Sequence, residues 1–131
     1  MYTSENAPMK ILVVDDEELI CWSLKRSFEK KEGHQVCCVY TGGEALQKIN
    51  ENRYDVIITD LKLPDVNGFE LIKRIKEMGL DMPVIVMSSH FSQNTLDDTA
   101  HKGVFRWITK PFQIEDVLNG VREAKDRSSA L

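Results

Sequence analysis

Apolar positions along this chain fall into two alternating patterns. Ile11-Leu12-Val13-Val14, Val56-Ile57-Ile58-Thr59 and Val84-Ile85-Val86-Met87 are short apolar runs with no polar alternation. Such runs suit strands covered on both faces, as in a parallel sheet. Residues 36–40 and 104–109 are two further β-rich runs. Between them, apolar residues recur at helical spacing. Ile20, Leu24 and Phe28 form one stripe. Ala45, Leu46 and Ile49 form a second, behind Thr41-Gly42-Gly43-Glu44, which has capping-box spacing. Leu71, Ile72, Ile75 and Met78 form a third, with Gly79 as the helix stop. Leu96 and Ala100 mark a weaker face over 92–102. Ile114, Val117, Leu118 and Val121 mark a fifth. Gly120 inside that last stripe weakens the helix by about 1 kcal/mol relative to Ala.

The pattern is therefore β-α repeated five times, an α/β chain. Right-handed crossovers place it in an open parallel sheet with helices on both faces. Residues 1–9 read as a flexible leader, 10–126 as the domain, and 127–131 as a polar tail or the start of a linker, too short for an effector domain. Four strands end in polar groups: Asp15 and Asp16, then Asp60, Ser88 and Lys110. Ligands of open α/β sheets bind outside the carboxyl ends of the strands, where strand order switches. With the order 2-1-3-4-5, the first and third strands are neighbours and three carboxylates meet. Crowded carboxylates repel one another, and a hard divalent cation removes the conflict. Mg2+ prefers a few carboxylates, water and a phosphate. A nearby lysine and hydroxyl suit a phosphoryl group. The residues thus point to a Mg2+-dependent phosphoryl site with a carboxylate nucleophile.

Composition narrows the setting. The 131 residues fit one domain. Lys+Arg 17 against Asp+Glu 21 gives 17 − 21 = −4, which argues against a broad nucleic-acid surface. No apolar run approaches the ~20 residues of a membrane span, and residues 1–10 lack an apolar signal core. Three cysteines do not read as a disulfide framework, so a reduced, cytoplasmic location is expected. No G-x-G-x-x-G follows a strand and no phosphate-binding G-x-x-x-x-G-K-[ST] loop is present, which sets a dinucleotide-binding domain aside.

From about residue 10 to 125 the chain resembles the receiver domain of bacterial two-component response regulators. The resemblance rests on Val13-Val14-Asp15-Asp16-Glu17, on Asp60 with Pro64 and Gly68 beyond it, on Ser88-Ser89 and Gly103, and on Lys110-Pro111-Phe112. It implies a flavodoxin-like, receiver-type fold with a five-stranded sheet ordered 2-1-3-4-5 and five helices. It implies that Asp60 accepts a phosphoryl group from a sensor histidine kinase or phosphotransfer protein. Asp16 would bind Mg2+ directly, Asp15 through water, and Asp60 and the Lys62 backbone carbonyl would complete the protein ligands. Ser88 would hydrogen-bond a phosphoryl oxygen, and Lys110 would pair with its charge across a cis Lys110–Pro111 bond. Phosphorylation, adding roughly −1.5 to −2 charge, would draw in Ser88 and repack Trp107. That would switch a face made of the fourth helix, fifth strand and fifth helix, which controls an output domain or partner or forms a homodimer. Transcription control is the expected output, and the stretch Gly103–Phe112 is most similar to receivers of σ54-type activators. No direct nucleic-acid or membrane contact is implied, and the domain is expected not to be an enzyme, although it assists its own phosphotransfer and dephosphorylation.

Other positions carry expectations of their own. Lys62 and His90 stand where the family tunes loss of the phosphoryl group. Leu19 and Trp22, off the Ile20–Leu24–Phe28 stripe, suggest a kinase docking patch; the bland reading of Trp22 is a ring lying flat on the surface. Trp107 replaces the usual Tyr or Phe and Val104 the usual Ala; both changes bear on signal transmission and neither removes a group that phosphorylation requires. Asp16 can also serve as an N-cap for the following helix. Cys21, Cys37 and Cys38 read as small core residues or bystanders, with Cys37 and Cys38 on opposite faces of a strand and so not a metal pair. His34, His90 and His101 read as surface residues. Two competing functions remain: an aspartyl-phosphate hydrolase, disfavoured because position 62 is Lys and no cap is encoded, and an interaction module that signals without phosphate.

Overall fold

The computed structural model describes residues 8–89 and 103–129, with side chains to 126. The expected helix over 92–102, His90 and His101 lie outside the described residues. The elements are β1 (Lys10–Val14), α1 (Glu18–Ser27), β2 (Gln35–Val39), α2 (Gly42–Glu51), β3 (Val56–Asp60), α3 (Gly68–Glu77), β4 (Val84–Ser88), β5 (Arg106–Thr109) and a C-terminal helix, Ile114–Ser129. The five strands form one sheet in the order β2-β1-β3-β4-β5. All four pairings are parallel. Among the described residues, no helix is long and apolar enough to cross a membrane.

The absence of alternation in the strands follows from burial on both faces. Ile11 and Val13 join Leu24, Phe28, Val117 and Leu118 in one core. Leu12 and Val14 join Ala45, Ile49, Leu71 and Ile75 in the other. Successive side chains of a strand point to opposite faces, so a strand between two cores is apolar throughout. The adjacent Cys37 and Cys38 divide in the same way, Cys37 to the second core and Cys38 to the first.

Element ends follow local chemistry. At α2 the Thr41 hydroxyl accepts the Glu44 N–H at 3.1 Å, and the Glu44 carboxylate accepts the Tyr40 N–H at 3.1 Å. This is the expected capping box, with its return bond displaced by one residue. Helix α3 stops before Gly79, whose φ of +77° few other residues adopt. Met78, the last position of the predicted stripe, lies past the helix and is exposed. A π-helical turn, Phe28–Glu32, extends α1 and buries Phe28 before Gly33 turns the chain at φ +71°. The fifth strand is shorter than the run over 104–109. Val104 and Phe105 precede it, joined to the sheet by the Phe105 N–H to Val84 carbonyl bond of 2.9 Å.

His34 is a correction. It is buried, not on the surface. Its Nδ1 accepts the Met9 N–H at 2.9 Å, and burial pulls its pKa below the usual value. A strand-entry histidine can fill the edge of a core when a backbone N–H satisfies it. Met9, grouped with the leader on sequence, is buried in that same core.

Candidate functional site

The polar strand ends meet at one edge of the sheet. Asp15 follows β1 and is fully buried. Asp60 is the last residue of β3 and is 6% exposed. Asp16 faces solvent. One carboxylate oxygen from each of Asp15, Asp16 and Asp60 lies within 4.8 Å of the other two. The adjacency of β1 and β3 brings them together.

Lys110 enters this cluster from the end of β5. Its Nζ donates to Asp60 Oδ2 at 2.7 Å, Asp15 Oδ2 at 2.8 Å and Glu17 Oε1 at 3.0 Å. Its N–H donates to the Ser88 carbonyl at 2.8 Å, which fixes the lysine beside the end of β4. The Lys110–Pro111 bond is cis, as the resemblance implied. Glu17 is a partner that sequence reasoning missed. It stood only as part of an acidic motif, and nothing local links it to a lysine so distant in the chain.

The second carboxylate oxygens of Asp15 and Asp60 are also occupied. Asp15 Oδ1 accepts the Glu17 N–H at 2.9 Å and Asp60 Oδ1 accepts the Lys62 N–H at 3.1 Å. Glu17, not Asp16, occupies the N-cap of α1, and no side chain caps that helix. The capping reading of Asp16 is therefore corrected: its exposed carboxylate remains available to the cluster.

The loop after Asp60 is pinned at several points. Lys62 and Asn67 form one antiparallel bridge. Asn67 Oδ1 caps α3 through the Phe69 N–H at 2.7 Å. The Asp65 carboxylate accepts the Gly42 and Gly43 N–H groups, both at 2.9 Å, at the start of α2. Those amides hold the Asp65 carboxyl below the usual carboxylate range. Gly68 packs so closely that a Cβ would lie 2.6 Å from the Asp60 carbonyl oxygen and 2.7 Å from Leu61 Cα. We expect Gly68→Ala to destabilise the fold by about 1–3 kcal/mol in urea unfolding, since rigid backbone must move.

Burial raises the pKa of Asp15; bonds from Lys110 and the Glu17 N–H oppose this, and the Asp60 charge adds to it. Burial pulls Lys110 down, but its bonds to Asp15, Asp60 and Glu17 outweigh that and raise it above its ordinary value of 10.5. A group raised on folding contributes stability that is present below its unfolded pKa and lost as pH rises through the folded one. For Lys110 that loss lies in the alkaline range above 10.5. For Asp15 it begins above 3.8, so the ionised form is under strain at neutral pH.

The cluster opens into a cleft of about 600 Å³, lined among others by Asp16, Asp60, Lys62, Pro64, Ser88 and Lys110. Ser88 is 8% exposed at its edge. The donor set is all hard oxygen, which fits a small divalent cation such as Mg2+. A second groove of about 460 Å³ adjoins it, with Leu19, Ile20, Ser23, Pro111, Phe112 and Ile114 in its walls. Leu19 is 73% exposed there, whereas Trp22 is exposed outside it, its ring 5.3 Å from the Arg26 guanidinium. Trp107 is half-buried on β5, next to Arg106, which pairs with Glu123 at 2.7 Å.

Comparison with known proteins gives a consistent picture. The family model of the response regulator receiver domain matches residues 11–122. The DNA-binding transcriptional regulator NtrC of Proteus hauseri is 32% identical over 114 residues, covering 87% of this chain and 24% of that protein. The virulence transcriptional regulatory protein PhoP of Salmonella choleraesuis is 33% identical over 123 residues, covering 94% of this chain and 54% of that protein. The chain thus spans about a quarter to a half of these relatives. The crystal structure of a CheY-like receiver domain protein from Methanospirillum hungatei superposes with a TM-score of 0.89 at 30% identity, covering 95% of this chain and 98% of that one.

Proposed function

This chain belongs to the response regulator receiver domain family of two-component signalling, and on that premise we propose that Asp60 is its phosphoacceptor. The observation that carries the reading is the bridging of Asp60 and buried Asp15 by Lys110, with Asp16 completing an all-oxygen cluster. Receiver domains of response regulators partner with histidine kinases, and we take the donor to be a phosphohistidine. An Asp60 carboxylate oxygen forms the new O–P bond as the donor's P–N bond breaks, and the histidine nitrogen keeps the electron pair.

The chain's own groups prepare that step. The Lys62 N–H bond on Oδ1 and the Lys110 bond on Oδ2 hold the Asp60 carboxylate in one orientation. Reaction leaves Asp60 without its free charge and places new charge on the phosphoryl oxygens. Lys110 follows that charge, and the Ser88 hydroxyl, at the cleft edge, donates to a phosphoryl oxygen. Asp15, Asp16, Asp60 and the Lys62 carbonyl would hold Mg2+, with Asp15 acting through water. Bound there, Mg2+ would neutralise charge that builds on the phosphoryl oxygens during transfer.

The domain acts as a phosphoacceptor that assists its own reaction, not as an enzyme with a separate substrate. The groove around Leu19 and Phe112 is the docking place for the kinase's helical domain, and Trp22, exposed on the same helix outside the groove, adds to that contact. Lys62, exposed at the cleft, and His90 tune loss of the phosphoryl group. Movement of Ser88 repacks Trp107 and alters the β5 face, which controls an output domain, a partner or a homodimer contact. The names of the two relatives, both transcriptional regulators, support transcription control as the output, and we place the domain in the cytoplasm. The test is intact-protein mass spectrometry after acetyl phosphate and Mg2+. Addition of one phosphoryl group is expected, and an unchanged mass would overturn the reading.

A further inference from the structure

The described residues hold one pair of thiols that the phosphoryl site does not use. Cys21 on α1 and Cys38 on β2 stand far apart in sequence, yet α1 packs on β2 and brings them together. The Cys38 thiol donates to the Cys21 carbonyl oxygen at 3.4 Å, which sets the two cysteines side by side across the seam between α1 and β2. The pair is asymmetric. Cys21 is 1% exposed, whereas Cys38 is partly open to solvent. Neither is bonded in a disulfide, and Cys37 points to the opposite core.

The pair is tied to the phosphoryl site. The Cys21 thiol donates to the Asp15 carbonyl oxygen at 3.3 Å. Asp15 is the residue whose carboxylate meets Lys110. A bond between the two sulfurs removes that donor and draws this turn of α1 toward β2. The turn starts at Glu17, which touches both Asp15 and Lys110.

We propose that Cys38 and Cys21 form a peroxide-sensitive pair, oxidised by a hydroperoxide to a disulfide that slows phosphorylation of the domain. Cys38, the reachable thiol, is the site attacked. It is oxidised to a sulfenic acid as the peroxide O–O bond breaks and the peroxide is reduced to water or an alcohol. Cys21 then attacks that sulfur, the S–S bond forms, and a second water leaves. A small-molecule dithiol restores both thiols by exchange. The effect on phosphorylation rests on the role of Asp60; the cross-link does not.

The full chain, reduced and then exposed to hydrogen peroxide, would be denatured and labelled with N-ethylmaleimide. Reduced protein takes three labels, one for each free cysteine. Oxidised protein is expected to take one, on Cys37, with a Cys21–Cys38 cross-linked peptide in the digest. Cys37→Ser keeps the cross-link, and Cys38→Ser loses it. Oxidised protein should gain its phosphoryl group from acetyl phosphate at least about fivefold more slowly, with recovery in dithiothreitol. Cys38→Ser should show no such response. Three labels after peroxide, a cross-link through Cys37, or an unchanged phosphorylation rate in cross-linked protein would each overturn the proposal. If the reduced protein itself takes up no phosphoryl group, the role of Asp60 fails, while the label count still decides the pair.

Discussion

Asp60→Asn is expected to take up no phosphoryl group under conditions that load the unmodified protein fully. The amide offers no anionic oxygen to attack phosphorus, and no other cluster carboxylate has the same setting. Asp15 is buried beneath Lys110 and Asp16 stands in solvent. The fold should survive the change. Asn retains an oxygen to accept the Lys62 N–H now made to Asp60 Oδ1. Lys110 keeps Asp15 and Glu17 as partners. Removing one carboxylate also relieves the repulsion felt by Asp15, so the urea midpoint should stay level or rise. Intact mass and urea unfolding together separate a missing nucleophile from a damaged fold. Phosphoryl uptake by the folded variant would transfer the role to another residue.

Lys110→Ala carries the second large effect. It leaves Asp15 and Asp60 side by side, 0% and 9% exposed at their side chains, with no cation between them. Removing one partner of a buried ion pair costs about 3–5 kcal/mol. The cleft is open to water, so the loss at about pH 7.5 should lie near 3 kcal/mol. The pH dependence gives a sharper test. Asp15 is already raised by burial with Lys110 present, and losing the lysine raises it further. A carboxyl raised on folding loses stability as pH rises through its folded pKa. The deficit of Lys110→Ala should therefore shrink between about pH 7.5 and pH 5, measured by urea unfolding. Added Mg2+ should recover part of it at the higher pH. A deficit constant across that range would mean that Lys110 acts through packing alone. Phosphoryl uptake should fall sharply in the same variant, because the transferred charge loses its cation.

Much of the architecture was legible because its causes are local. Ile11–Val14 and Val84–Met87 lack alternation because both faces of the sheet are covered, and that property is written in consecutive residues. Gly79 and the Thr41–Glu44 box mark helix ends within a few residues of themselves. The carboxylate cluster was legible for a different reason. Each member sits at a strand end, so strand order alone brings the members together. What was missed depends on side chains meeting across the fold. Glu17 reaches Lys110, Asp65 reaches Gly42 and Gly43, and the Cys38 thiol reaches the Cys21 carbonyl only once α1 and the loops have docked. His34 was misread because an isolated histidine carries no local sign that a backbone N–H awaits it.

The Asp65 contact has a consequence for how this segment tolerates change in length. Surface loops usually accept insertions, because lengthening them costs little closure entropy. The stretch from Leu61 to Asn67 is anchored at both ends and at Asp65, where two amides of α2 are held at 2.9 Å. One residue inserted between Lys62 and Asp65 would carry the carboxylate away from those amides and strip α2 of its anionic clamp. A residue inserted after Ser129 would disturb none of these bonds. Among natural variants of this chain, gaps should therefore be rare between positions 60 and 68, although that stretch is outwardly a loop.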